Sequence, residues 1–543
     1  MRGQTVVRRV IVFFVLFSLV TVAAIGLSGL LARLLDVGTV VVDVGGGDIA
    51  RSLAFTLIAT PLAVALWWWE ARRLRTDPEE RSSIGWGLYL LVVTLTSLIV
   101  ATVGMGDAAA AALAGQWRPG AFATGVVWAA VWVLHRALHR SPSLSPTRLG
   151  IPTVSLSAVW GLVVGASGAI AALAALVSDA LDGASVLVAT NGTAVAVLQG
   201  LVWAFLGAAA WAWHTYGEGA RTARGGFAEI VLVAVTAGFA ALALVGAGVL
   251  LQSILRLLFG DGDARVVLTS VDVALAAALV AGIISTYHGG IAHRASSRVR
   301  QATRLAVAGI AVIGAASGFG VVVNALLASL TAPIVATAPL TLLLGGLSAL
   351  VIGAPVWWLA WRPAHPSPPA VAPPADAPVD DRARRVYLVI VFGTSAIVAI
   401  IALLMIGSRL LALVFDASSA GGAIDVLRAP LGVVVATGLV FAYHFAVWRR
   451  TRGTAADTPK ATIGRILLVA GGPEGESLAA GIRTGLGVPV TLWRTADAAP
   501  SEHPAAFSDG ALSELVQSLR GIVAQRVLVI ADAAGPRIIP LAE

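Results

Sequence analysis

The sequence predicts an all-α polytopic membrane bundle of about twelve transmembrane helices in six hairpin repeats, followed by a small C-terminal α/β cytoplasmic domain. Three observations predict it. The 543 residues are 58% hydrophobic and only 12% charged, with a mean hydropathy of +0.89. Soluble chains carry roughly 25% charged residues, because a folded domain needs a wet exterior. Apolar runs of about 20 residues, the length that crosses a bilayer, recur twelve times. One phrase recurs at the ends of alternate runs: an aromatic residue or histidine, then arginine, as in YHFAVWRR at 443–450.

The spans are expected at 8–30, 50–69, 84–105, 119–138, 155–177, 193–213, 229–251, 267–288, 304–328, 336–360, 385–408 and 427–447. The first apolar run is longer than the 7–15 residues of a signal-peptide core, so it is read as a retained span. Even-numbered spans end in the exits LWWWEARR, VLHRALHR, WAWHTYGE, TYHGGIAHR, VWWLAWRP and YHFAVWRR, spaced about seventy residues apart. That period is two spans plus two loops. After some odd-numbered spans comes a Leu-rich piece with one arginine: SGLLARLLD (28–36), LQSILRLLF (251–259) and GSRLLALVF (407–415). Each is too short and too charged to span, and is expected to lie as a separate helix along the outer interface.

Arginine sets the orientation. Tracts between hairpins are basic (Arg8, Arg9, Arg72, Arg73, Arg136, Arg140, Arg221, Arg224, Arg294, Arg449 and Arg450), whereas loops inside hairpins carry scattered acids such as Asp43, Asp107, Asp261 and Asp416. The positive-inside rule then puts both termini in the cytoplasm of a cell bounded by this membrane. Trp68, Trp213, Tyr287, Trp358 and Tyr443 are the expected interfacial anchors, since their rings are apolar and their N–H or O–H groups want water. The net charge of +8 follows from this topology and is not a nucleic-acid signal. Membrane lipids are the expected partners.

The paired spans, the Leu-Arg-rich turns (SGLLARLLD, SRLLALVF) and the aromatic-His-Arg exits resemble a bacterial integral membrane family, the domain-of-unknown-function family numbered 5671. The resemblance implies a unit of two hairpins. It covers most of residues 8–453 as three tandem four-span units, 1–140, 150–297 and 299–453, the last interrupted by a Pro-rich linker at 362–383. It implies location in the bacterial plasma membrane and nothing about activity. The second and third hairpins depart from the pattern: neither has the arginine in its turn, and Leu134 stands where other exits have an aromatic residue.

Residues 461–543 turn soluble in composition. GRILLVAGG (464–472), VPVTLWR (488–494) and RVLVIAD (526–532) read as buried strands, and 475–487 and 509–525 as helices, giving a small unit of parallel strands. The turn VAGGPEGES holds Gly471, Gly472, Gly475 and Ser477 before a helix, where a phosphate could sit. It lacks the spacing of a nucleotide fingerprint, and Glu474 and Glu476 would repel an anion. A protein partner is the alternative use of this domain.

Chemistry candidates are few. Cysteine is absent, which excludes disulfides, thiol nucleophiles and zinc-thiolate sites. His135, His214, His288 and His444 sit in four of the six exits. Facing pairs could ligate a haem or relay protons, while singly they are expected at the interface, bonded to water or headgroups. Asp272 is the most unusual residue expected inside a span, within a turn or two of its outer end, and Asn324 is a weaker case. Pro61 and Pro355 could kink their spans. No cofactor or metal, no nucleophile–base pair and no buried ionic cluster is expected. The sequence therefore favours a scaffold, sensor or assembly partner that is not an enzyme, with a transporter or channel for a small molecule as the alternative.

Overall fold

The computed structural model describes residues 2–36, 46–182, 190–223, 225–260, 263–331, 337–362, 381–415, 422–456, 463–470, 474–494, 509–520, 522, 524–532 and 535–541. Most of the Pro-rich linker, Gly471, Gly472, Asp43, Asp261, Asp416 and Arg224 lie outside these residues. The chain divides into two compact units, Met1–Ala442 and Tyr443–Glu543.

Among the described residues, twelve helices are long and apolar enough to cross a membrane. The first hairpin is α1 (Arg2–Leu35) with α2 (Gly46–Ala54), a π-helical turn (Phe55–Ala59) and α3 (Thr60–Thr76). A one-turn helix α4 (Pro78–Arg81) leads to α5 (Ile84–Leu113) and α6 (Pro119–Arg140). Then come α7 (Gly150–Asp182) with α8 (Thr190–Ala212), which ends in a second π-helical turn (Trp213–Gly217) and a 3-10 turn (Ala220–Thr222). α9 (Gly226–Phe259) pairs with the short α10 (Ala264–Leu268) and α11 (Val271–Arg294), and α12 (Ser297–Ala328) pairs with α13 (Thr337–Trp361). The last hairpin is α14 (Asp381–Phe415) and α15 (Ala423–Ala456), with Phe392 edge-on to Phe441 at 6.3 Å.

Many large apolar side chains face outward. Phe14, Phe205, Ile283 and Leu404 are all exposed, which inverts the rule for a water-soluble fold and identifies lipid as the solvent. Between helices, small residues do the packing. A Cβ on Gly104 of α5 would lie 2.7 Å from the backbone nitrogen of Gly125 on α6, and one on Gly318 of α12 would lie 2.6 Å from the carbonyl of Gly346 on α13. Helices approach this closely only because those side chains are missing.

The expected interfacial helices are a correction. Residues 28–35, 251–259 and 407–415 are the last turns of α1, α9 and α14, which run through without a break. No glycine-proline breaker separates the Leu-rich pieces from the spans, and Leu, Ala and Arg all favour helix. Each helix of 34 or 35 residues is about 50 Å long at 1.5 Å per residue and outruns the roughly 30 Å hydrocarbon layer. Pro61 lies just after the π-helical turn Phe55–Ala59. Its missing N–H breaks the regular ladder there, and the extra residue of the π turn takes up the disruption. Pro355 lies inside α13.

In the second unit, β1 (Ile463–Ala470), α16 (Glu474–Leu486), β2 (Val490–Arg494), α17 (Asp509–Arg520), β3 (Ala524–Asp532) and β4 (Gly535–Leu541) form a four-stranded sheet of order β2-β1-β3-β4. β1 is parallel to both neighbours, while β4 runs antiparallel to β3. Ile466, Leu468, Ile482, Leu519, Val527 and Val529 are fully buried between sheet and helices. The sequence reading missed β4 because GPRIIPL contains two prolines. An edge strand tolerates them, having one side that needs no ladder.

Candidate functional site

Within the membrane unit, two buried carboxylates, Glu80 and Glu218, organise the ends of the hairpins. Glu80, on α4, is held by Arg9 at 2.8 Å, Arg8 at 3.2 Å and Arg73 at 3.1 Å, and Arg73 also lies 3.8 Å from buried Glu70. The start of α1 and the end of α3 are thus tied to one loop. Beneath it, Trp86 stacks on Tyr89 at 5.5 Å and on Trp67 at 6.0 Å, and its indole N–H donates to the Leu144 carbonyl at 2.9 Å.

Glu218 is the second. The π-helical turn closes when the Glu218 N–H donates to the Trp213 carbonyl at 3.0 Å, five residues back, and Gly219 then turns the chain with φ of +78°. This places Trp213 and His214 on the same carboxylate: Nε1 of Trp213 donates to Oε1 at 3.1 Å, and Nδ1 of His214 lies 2.7 Å from Oε2. Arg136 of α6 pairs with Oε1, Arg140 stands 3.7 Å away, and the Arg140 guanidinium covers the Trp213 ring at 5.3 Å. These two clusters correct the expectation of no buried ionic cluster. Glu80 and Glu218 read as loop acids in RTDPEERSS and TYGEGA, and only the fold brings arginines from other helices to them.

Burial pushes the Glu218 carboxyl up, but the His214 hydrogen bond and charge, Arg136 and the Trp213 N–H outweigh it and hold the group below the usual 4.5. A lowered folded value means that the stabilisation is complete above the ordinary carboxylate value and is lost as pH falls through the lowered one. The stability difference between the native chain and Glu218→Gln, followed by thermal unfolding in nanodiscs, is expected to shrink as pH falls below about 4.5.

His135, His214, His288 and His444 are buried, where interfacial, water-facing side chains were expected. They have separate neighbours. Nδ1 of His135 donates to the Val131 carbonyl at 2.8 Å, which leaves Nε2 of the neutral ring to accept from the Tyr89 hydroxyl at 3.0 Å. His214 belongs to Glu218. Nδ1 of His288 donates to the Ile284 carbonyl at 2.9 Å. His444 lies edge-on to Tyr443 at 5.0 Å. Among the described residues no group of three His, Cys, Asp or Glu side chains could hold a metal ion.

Asp272 stands in the first turn of α11, half-buried, and its Oδ1 accepts no hydrogen bond among the described residues. A carboxylate in the first turn of a helix is stabilised by the helix dipole. Asn324 lines an apolar groove between α12, α14 and α15. Trp68, Trp213, Trp358 and Tyr443 are exposed and Tyr287 is half-buried, its hydroxyl 2.6 Å from that of Tyr216.

A cavity of about 490 Å³ opens beside His288, between α7, the π turn after α8, α9 and α11. Sequence reasoning missed it, since a void has no residue of its own.

Twelve lipid-facing apolar helices define a multi-pass integral membrane protein. The family model described as Domain of unknown function (DUF5671) matches residues 9–135 and 299–443, together half of the chain, and the chain belongs to that family. The two matched regions fall within the first and third of the expected four-span units. No curated protein and no solved structure matches the chain.

Proposed function

We propose that this protein is a membrane scaffold, sensor or assembly partner, not an enzyme, seated in a bacterial plasma membrane with both termini in the cytoplasm. The three four-span units would form a fixed platform, and the α/β domain from residue 461 would meet a protein partner. One observation carries the reading. The buried carboxylates Glu80 and Glu218 tie helix ends together at the basic end, while glycine contacts close the helices on one another deeper in the bundle. Charges arranged this way hold a shape and do not mark a path for an ion. The transporter reading draws on the cavity beside His288, but that cavity lies at one end of the bundle, not at mid-depth.

Two experiments test this. The chain has no cysteine, so single exposed cysteines can report topology. Ser143→Cys is expected to react only from the cytoplasmic side and Gln116→Cys only from outside, and the reverse result rejects the orientation. Full chain purified from its native membrane is expected to run in an assembly that is lost when residues 461–543 are removed. The reconstituted full chain is expected to leave imposed ion and proton gradients intact, and gradient dissipation would favour the carrier.

A further inference from the structure

The cavity beside His288 lies where another part of the chain places a tyrosine. The third span reads LYLLVVT at 88–94 and the seventh reads IVLVAVT at 230–236. Both stretches begin in the second turn of their helices, α5 from Ile84 and α9 from Gly226. The eleventh span reads VYLVIVF at 386–392, again near the start of its helix, α14 from Asp381. Tyr89 and Tyr387 are both buried. In the seventh span the same register holds Val231, which lines the cavity.

The histidines opposite correspond as well. His135 lies near the end of α6 and His288 near the end of α11. Each donates Nδ1–H to the carbonyl four residues back, so each neutral ring offers Nε2 as an acceptor. At His135 the Tyr89 hydroxyl fills that valence at 3.0 Å. At His288, 9% exposed and part of the cavity wall, no donor among the described residues reaches Nε2. The rest of the wall is largely apolar, with Trp211 and Leu162 among its side chains, and exposed Arg221 and Arg294 and half-buried Glu229 also line it. A volume of about 490 Å³ is that of a small-molecule site, typically about 300–1,000 Å³.

We propose that this cavity is a binding site for a phenol-class molecule, whose ring takes the place of the absent tyrosine side chain and whose hydroxyl donates to Nε2 of His288. The two guanidiniums against one carboxylate in its wall favour a neutral or acidic substituent over a basic one. The site goes beyond the scaffold reading and does not depend on it.

The test uses full-length protein in nanodiscs and fluorine NMR of 4-fluorophenol, with fluorobenzene as the probe lacking the donor and empty nanodiscs to subtract partitioning into lipid. Saturable binding of 4-fluorophenol is expected, about tenfold tighter than that of fluorobenzene, the effect of one hydrogen bond to a buried acceptor. Val231→Tyr is expected to abolish binding of both probes, and His288→Phe to bring the two to equal affinity. Val235→Phe, which fills the same space from the next turn, is expected to repeat the loss and serves if Val231→Tyr does not fold. Equal affinity of the two probes for the native chain, binding that survives the filled cavity, or a retained lipid that neither probe displaces would each overturn the proposal.

Discussion

Glu218→Gln is expected to lower the stability of the membrane unit by about 3–5 kcal/mol, the cost of leaving one member of a buried ion pair without its partner. The change keeps the shape of the side chain and removes its charge. Arg136 is only 8% exposed, and its Nε and Nη1 already lack hydrogen-bond partners among the described residues. Without the carboxylate its charge has no compensation except the more distant water. His214 loses its charged acceptor at 2.7 Å, so the carboxylate shared by Trp213 and His214 no longer fixes those two rings of the π turn. Unfolding in detergent or nanodiscs, by heat or by titrated denaturing detergent, measures the loss. The double variant Glu218→Gln with Arg136→Met is expected to recover most of it, because removing both charges leaves no buried ion unpaired. A single variant within about 0.5 kcal/mol of the parent, the range of an ordinary surface change, would mean that the cluster does not hold α6 to the end of α8.

Gly318→Leu is expected to force α12 and α13 apart. An added Cβ would meet the Gly346 carbonyl oxygen and the Leu350 nitrogen at 2.6 Å, and a Cβ on Gly346 would meet Gly318 and Val322 backbone at 2.8 Å. These neighbours are backbone in two regular helices, so neither side can give by a rotamer change. In a bilayer, helix association relies on close van der Waals contact, not on exclusion of water, so separation forfeits most of what joins the pair. Overpacking of this kind costs about 1–3 kcal/mol and more where backbone must move. Gly314→Leu on the same helix is the matched control, since nothing lies within 4 Å of its added Cβ. Equal stability of the two variants would sink the argument.

The order of elements was legible because each apolar run of about 20 residues carries its own answer about its solvent. Eleven of the twelve expected spans fall inside helices that are long and apolar enough to cross a membrane, and the twelfth, expected at 336–360, overlaps such a helix at Pro339–Trp361. The end of a helix was not legible in the same way. SGLLARLLD reads as a separate piece because one arginine breaks its apolarity, yet the helical backbone continues through Arg33 to Leu35. The site was legible only in part. His135, His214, His288 and His444 stood out by position, and all four are buried at the exits. Their partners did not stand out: Tyr89, Glu218 and the two arginines of α6 carry no local signature that points to a histidine elsewhere in the chain. Glu80 looked like a solvated loop acid because the three arginines that cover it come from α1 and α3.

By itself the sequence determined which segments are apolar enough to enter lipid and which are not, and that one end of the even-numbered spans is marked by rings with arginines in or just after them. Transfer from water to hydrocarbon is nearly additive over neighbouring residues, so it can be read one segment at a time. Only the tertiary structure decided which polar groups share a buried site and where side chains leave a space. Those outcomes depend on how far each helix turns about its axis and how closely glycines let it approach the next. The same register that brings Tyr89 to His135 leaves a cavity between Val231 and His288.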